Sequence, residues 1–292
     1  MVTVATHNGS FHTDDVFAVA ALQLLHGEEH MRVVRTRDQA VIAAADIVVD
    51  VGGVYDPERQ LFDHHQRGAP VRENGIPYSA IGLLWRHYGT DIAGCEEVAM
   101  RLEERLVQPI DAGDTGVSLY DTLTHPPVRP VELYQITRSF APPWGSGESK
   151  DQAFFDAVGW ARGLLTRLIE HERAQLDLEQ LVLKTYQAAE DPRVLVFDVP
   201  VSEHALIPYS DVMVVVSPRE VAPESDWNAT IVRVQPESFT PRAQFPETWR
   251  GLNREELAAA AGIPDAVFCH KAGHLFIARS RESALRAARE AQ

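Results

Sequence analysis

The sequence predicts an α/β protein: an N-terminal domain on a parallel sheet, followed by a smaller C-terminal α+β domain. Two observations carry this expectation. Short β-branched runs at 2–6, 31–35 and 47–51 alternate with helix-patterned segments at 14–25 and 39–45, and such alternation builds parallel sheets. Beyond Asp191-Pro192, which breaks a long helical stretch, strand-like runs dominate over helices. A chain of 292 residues is long enough for two sizeable cores. The boundary is drawn at that break, giving domains 1–190 and 191–292.

The elements follow in order. Residues 2–6 read as a buried strand. The helix at 14–25 starts after Thr13, whose hydroxyl can cap it. Strand 31–35 and helix 39–45 lead to Ile47-Val48-Val49-Asp50-Val51, a strongly apolar strand that Gly52-Gly53 ends. Tyr55-Asp56-Pro57 reads as a turn, and Gln60-Leu61-Phe62 runs into Asp63. A helix at 79–88 closes at Gly89. Another, at 96–108, continues into Pro109-Ile110-Asp111-Ala112-Gly113-Asp114. Residues 121–149, with Pro126-Pro127 and Pro142-Pro143, read as an irregular surface excursion of the kind that forms lids. A long helix covers 151–189. The second half holds strands at 194–199, 212–217, 230–234, 266–270 and 275–278, with helices at 255–261 and 281–290.

Composition narrows the function classes. Hydrophobic content of 45% and charged content of 24% are those of a soluble globular protein. No run of about 18 apolar residues exists, which argues against a membrane-spanning helix. The N-terminus enters a strand with no basic leader, so no secretory signal is expected. Cys95 and Cys269 make neither a disulfide framework nor a cysteine zinc site. A reducing, cytoplasmic setting fits these features. The net charge of −15 excludes a protein that coats nucleic acid by broad electrostatics. Residues 193–292 hold 11 Lys+Arg against 13 Asp+Glu, so the acidity resides in the first part of the chain.

The informative side chains lie at the ends of the apolar strands, where functional groups gather in such sheets. Three segments stand out: Thr6-His7-Asn8-Gly9-Ser10-Phe11-His12-Thr13-Asp14-Asp15, Asp50-Val51-Gly52-Gly53, and Phe62-Asp63-His64-His65-Gln66. A capping interaction needs only one side chain near Thr13, so His7, His12 and Asp14 exceed what a helix start requires. Imidazole mixed with carboxylate suits Mn²⁺, Fe²⁺ or Zn²⁺. The number of ligand-type groups exceeds the need of one ion and points to a two-metal hydrolytic site. Alternation along extended chain lets at most two of Asp63, His64 and His65 reach one ion. In the second half, His270-Lys271-Ala272-Gly273-His274 gathers basic groups beside a glycine and reads as an oxyanion or phosphate cradle. Cys269 lies inside an apolar strand and is expected to be inert.

These residues resemble the successive motifs of the DHH phosphoesterase superfamily. More closely, Thr6-His7-Asn8-Gly9-Ser10-Phe11-His12, Asp50-Val51-Gly52-Gly53-Val54-Tyr55-Asp56 and Phe62-Asp63-His64-His65-Gln66 are similar to the family once labelled metal-dependent protein hydrolase. That family contains the melanocyte-proliferating-gene exonuclease. Trp249-Arg250-Gly251-Leu252, Glu255-Glu256-Leu257 and Gly262-Ile263 resemble its C-terminal half. One departure is His12, which stands where many superfamily members have aspartate.

The resemblance implies a DHH-type catalytic domain, a second substrate-binding domain and an active-site cleft between them. It implies two Mn²⁺ ions, with Mg²⁺, Fe²⁺ or Zn²⁺ as alternatives, held by His7, His12, Asp14, Asp50, His64 and Asp111. Asp50 would bridge. Asp63 and His65 would be catalytic, orienting a ligand or meeting the substrate. His270, Lys271 and His274 would bind the substrate's phosphate. The expected activity is a 3′–5′ exonuclease on short RNA or other oligonucleotides, in a chain that acts free of membranes and is compatible with homo-oligomers. The competing expectations are amide hydrolysis by the same metals, and a non-enzymatic metal-binding protein.

Overall fold

The computed structural model describes residues 1–119 and 130–292. His125 and Pro126-Pro127, part of the expected excursion, lie outside the described residues. The chain divides into two compact units, Met1–Ala174 and Gln175–Gln292.

The first unit opens with β1 (Val2–Thr6), α1 (Thr13–His26), β2 (Met31–Arg35), α2 (Gln39–Ala43), β3 (Ile47–Val49), β4 (Tyr55–Asp56) and β5 (Leu61–Phe62). Its sheet has the order β2-β1-β3-β5-β4. β1 pairs in parallel with β2 and β3, and β3 in parallel with β5. Only β4, at the edge, is antiparallel. The segment expected as a turn at Tyr55 is therefore an edge strand, with the Tyr55 ring 6.4 Å from that of Phe62. α1 packs on these strands, and every residue from Val16 to Leu22 is buried. Burial on all sides explains why its sequence is apolar without a stripe.

Four helices follow: α3 (Ala80–Ala93), α4 (Glu96–Leu102), α5 (Gln108–Asp114) and α6 (Leu133–Ser139). α3 packs against α1. It runs through Gly89, which sequence reading took as its end, and stops at Gly94. Gly89 is a packing device: a Cβ there would meet the Trp85 ring at 2.8 Å. A π-turn at Glu103–Val107 joins α4 to α5. Pro109 lacks an N–H for the regular ladder, and the widened turn accommodates it. α6 lies within the stretch expected to be irregular.

A 39-residue helix, α7 (Lys150–Ala188), spans the division between the units. The division falls inside α7 rather than at Asp191-Pro192 because the helix has two sets of partners. Phe154 and Trp160 meet Phe11 and Phe17 of the first unit. Val182 joins Leu195, Phe197, Leu206 and Val215 in a core of the second.

The second unit contains β6 (Val194–Val196), β7 (Val214–Pro218), β8 (Trp227–Ile231), α8 (Arg254–Ala261), β9 (Ala266–Cys269), β10 (Leu275–Ala278) and α9 (Arg281–Ala288). Its sheet order is β6-β7-β8-β10-β9, parallel only between β6 and β7. Phe245, Trp249 and Phe276 centre one core. Burial pushes the Cys269 thiol up to about 11, which keeps the reactive thiolate scarce at neutral pH. Among the described residues, no helix is long and apolar enough to cross a membrane.

Candidate metal centre

The parallel strands of the first unit deliver the candidate ligands to one edge. His7 follows β1, Asp50 follows β3, and Asp63-His64-His65 follows β5. These are carboxyl ends of parallel strands, where the diverging chains leave room for a site. Asp14 and Asp15 occupy the first turn of α1, and Asp114 ends α5. The loop after β1 is pinned by Arg35, whose nearly buried guanidinium donates to the Gly9 carbonyl at 3.0 Å and to Asp151 Oδ1 at 2.5 Å. Asp50 has a φ of +54°, a left-handed conformation that Asp tolerates better than most residues. It turns the chain out of β3 as Gly52 and Gly53 follow.

Asp50 is the hub. Its Oδ2 lies 3.2 Å from His7 Nε2, and its Oδ1 lies 3.3 Å from His64 Nε2. His7 Nε2 is also 3.2 Å from Asp15 Oδ2. His64 Nε2 reaches Asp114 Oδ2 at 3.4 Å and Asp14 Oδ2 at 3.8 Å. His12 Nδ1 is 3.8 Å from Asp114 Oδ1. Three overlapping sets each place ligand atoms within 4.8 Å: His7, His12 and Asp50; Asp50, His64 and His65; and His12, Asp14 and Asp114. Asp50 and His12 each belong to two of these sets.

The electrostatics of this cluster are short of positive charge. Burial raises the Asp14 carboxyl well above its ordinary range, and Asp50, Asp114 and Asp15 raise it further. Burial likewise raises Asp15, against the lowering effect of His7. Burial would lower His7, but Asp15 and Asp50 outweigh it and raise the imidazole to about 10. Asp50 resists burial because His64 and His7 hold it down at about 2. Asp14 Oδ1, Asp15 Oδ2 and Asp50 Oδ1 are buried and accept no hydrogen bond of proper geometry. Buried carboxylate oxygens without donors are costly unless a cation meets them. The donor set of imidazole and carboxylate fits a divalent ion of the Mn²⁺, Fe²⁺ or Zn²⁺ kind.

The geometry sorts the sequence-derived candidates. His7, His12, Asp14, Asp50 and His64 converge. Asp111 does not: its carboxylate is held by Arg72 Nη2 at 2.6 Å, Ser79 Oγ at 2.5 Å and the Gly82 amide at 3.2 Å. Asp114, one turn further along α5, takes the place expected for Asp111. Asp111 is a fully buried anchor whose carboxyl burial raises to about 6.

Asp63 is also an anchor. It accepts from the amides of Gly53, His64 and His65, and from His65 Nδ1 at 2.7 Å. It therefore orients His65, which remains largely exposed beside Asp50. Both imidazoles of the pair reach Asp50, with rings 4.3 Å apart. Strand alternation does not limit them, because regular pairing ends at Phe62.

Sequence reasoning weighed Asp114 beside Asp111 but chose Asp111 for the ligand set, and it gave Asp15 no role. The signal for Asp114 was its spacing of three from Asp111, which puts both near one helix face. Asp15 accepts the His12 amide at 2.8 Å, so the helix begins one residue before the expected cap Thr13.

In the second unit, His270, Lys271 and His274 occupy the β9–β10 hairpin. The two imidazole rings lie 4.2 Å apart, and Lys271 is exposed. Gly273 has a φ of +67° and lies against Arg250, whose Nε donates to the Phe245 carbonyl at 2.9 Å. Burial, His270 and Arg233 lower the His274 imidazole from its ordinary range, against the raising effect of Glu203.

The first unit is an α/β domain that carries a buried His/Asp cluster at the carboxyl ends of its parallel strands. Residues 3–292 match the family described as MYG1_exonuc, Uncharacterised protein family (UPF0160), and the chain belongs to that family. A MYG1 protein of Schizosaccharomyces pombe is 31% identical, covering 100% of this chain and 97% of the relative. The MYG1 exonuclease of Bos taurus is 31% identical, over 98% of this chain and 83% of its own. The human MYG1 exonuclease is also 31% identical, over 98% and 84%. Among solved structures, a pGpG-specific phosphodiesterase, PggH from Vibrio cholerae, aligns with a TM-score of 0.32 and 14% identity over 99% of this chain and 97% of its own.

Proposed function

We propose that this protein is a metal-dependent phosphoesterase that shortens RNA or other small oligonucleotides from their 3′ ends. The observation that carries this reading is the convergence of His7, His12, His64, Asp14, Asp50 and Asp114, with buried oxygens of Asp14 and Asp50 that accept no hydrogen bond of proper geometry. The exonuclease name borne by the bovine and human relatives points the same way. His7, His12, Asp14, Asp50, His64 and Asp114 would hold two ions, with Mn²⁺ the best match to the donor set. Such ions supply hydroxide near neutral pH and shield the phosphate's charge. Asp15 keeps the His7 ring in place. Asp63 keeps His65 aimed at the site, where its exposed edge can meet the substrate. His270, Lys271 and His274 are proposed to bind phosphate oxygens as their charge shifts during cleavage.

The first test is metal analysis followed by a substrate panel of short RNA, short DNA, pyrophosphate, cyclic dinucleotides and peptides. Labelling either RNA end separately reads the polarity. Activity on peptides alone would replace the phosphoesterase reading with the amide-hydrolase one.

Two expectations follow from the site. Chelation should lower the melting temperature and Mn²⁺ should restore it. Metal at about a hundred times its dissociation constant stabilises the folded state by roughly 2.7 kcal/mol. In a unit of this size that is about 5–10 °C. A melting curve indifferent to chelator and Mn²⁺ would contradict the metal centre. Separately, Lys271→Ala should reduce kcat/KM by about a hundredfold, the lower range for one lost oxyanion donor, with metal content unchanged. Full activity in both Lys271→Ala and His274→Ala would remove this hairpin from the site.

A further inference from the structure

The motifs leave one charged side chain beside the metal centre without a task. A cavity of about 630 Å³ opens over the cluster and is lined by His7, His12, Asp50, Asp63 and His65. Asn8, Ser10, Gly52, Gly53 and Arg37 complete its lining. Arg37 is the only Lys or Arg among the described residues lining this cavity. It belongs to Thr36-Arg37-Asp38, just after β2, and no sequence motif marks it.

The geometry points to Arg37 as the first unit's own phosphate-binding residue, a donor to a substrate phosphate oxygen in this cavity. This inference rests on the phosphoesterase reading above and adds a residue to it.

Three observations support it. First, Arg37 is exposed, and among the described residues it makes no hydrogen bond or ion pair through its guanidinium. Its neighbour in the same segment, Arg35, is committed to Gly9 and Asp151 and stacks 4.4 Å from the Phe154 ring. One arginine holds the loop; the other is left for a ligand.

Second, the cavity lining mixes acceptors with donors. Carboxylates and imidazoles face it from Asp50, Asp63, His7 and His65, whereas Asn8, Ser10 and Arg37 can donate. A ligand that spans it must be cationic beside the carboxylates and anionic beside Arg37. A divalent ion carrying a phosphate has that order of charges. A guanidinium suits the anionic end because its fork of N–H groups matches two phosphate oxygens.

Third, the first unit is strongly acidic, and a phosphate approaching this centre would otherwise meet acceptors along most of its path. Arg37 supplies local positive charge without lying in the ligand cluster itself. Its removal therefore leaves the ions' own ligands intact.

The experiment compares the full chain with Arg37→Ala and Arg37→Lys, all loaded with Mn²⁺. Metal binding is measured by titration and should be the same in all three. Adenosine monophosphate serves as the phosphate probe in isothermal titration, a readout independent of turnover. Losing a charge-assisted hydrogen bond should weaken its binding about ten- to a hundredfold in Arg37→Ala. Arg37→Lys should recover part of the affinity, since it restores charge but not the fork. On a cleaved oligonucleotide, kcat/KM should fall in the same order.

Equal probe affinity in the wild type and Arg37→Ala overturns the inference, as does a wild type that binds no probe. Parallel loss of metal in Arg37→Ala would also overturn it, by showing a role in building the centre. Failure of the broader reading looks different: probe binding would depend on Arg37 while no phosphodiester in the panel was cleaved.

Discussion

Asp50→Asn should abolish catalysis while leaving the fold intact. Among the described residues, Asp50 is the one carboxylate that approaches both His7 and His64, at 3.2 and 3.3 Å. It belongs to two of the three ligand sets. An amide carries no charge and cannot bridge two cations as a carboxylate does. The rate should fall by more than about a hundredfold, the upper figure for losing a group that merely orients a ligand. Asparagine tolerates the left-handed φ of +54°, so the chain can still turn out of β3. The metal-free protein should melt somewhat lower but cooperatively, because the amide loses the attraction of His7 and His64 that holds the Asp50 carboxylate down, a loss offset in part by relief of Asp14 and Asp15. Melting curves in chelator, metal content and phosphodiesterase rate together decide the matter. An active variant would sink the bridging role, and an unfolded one would make Asp50 structural.

Gly82→Ala should destabilise the first unit, against the usual rule for helices. Replacing glycine inside a helix normally gains up to about 1 kcal/mol. At Gly82 the added Cβ would lie 1.9 Å from Asp111 Oδ2 and 2.6 Å from its Cγ. Asp111 cannot yield easily. It is fully buried in α5 and held by Arg72 and Ser79. Displacing it separates a buried ion pair, which costs roughly 3–5 kcal/mol. The melting temperature should drop by about 10 °C. Gly159→Ala is the control: it lies in α7 with nothing within 4 Å of the added Cβ, and it should be neutral or stabilising. A stabilised Gly82→Ala would show that Asp111 is not fixed as described. Because Asp114 shares α5 with Asp111, the same variant should also weaken metal affinity.

Asp111 shows where the sequence stops being informative. Both Asp111 and Asp114 stand on one short helix, three residues apart. Which of them faces the centre depends on how α5 is rotated about its axis. Arg72, Ser79 and Gly82 set that rotation from distant parts of the chain. The same holds for Arg37, which reaches the cavity only because β2 lies beside β1 in the sheet.

The sequence by itself determined the α/β class, the two-part organisation and the cluster of His7, His12, Asp14, Asp50 and His64. It could do so because strand periodicity is local, and because parallel strands bring their carboxyl ends to one edge whatever the loops do. Only the tertiary structure decided that Asp114 rather than Asp111 joins the cluster, that Asp63 holds His65, and that Gly89 receives Trp85 instead of ending a helix. Those outcomes depend on side-chain directions and contacts between segments far apart in sequence. No local pattern of residues encodes them, since each is fixed only when packing settles the position of one element against another.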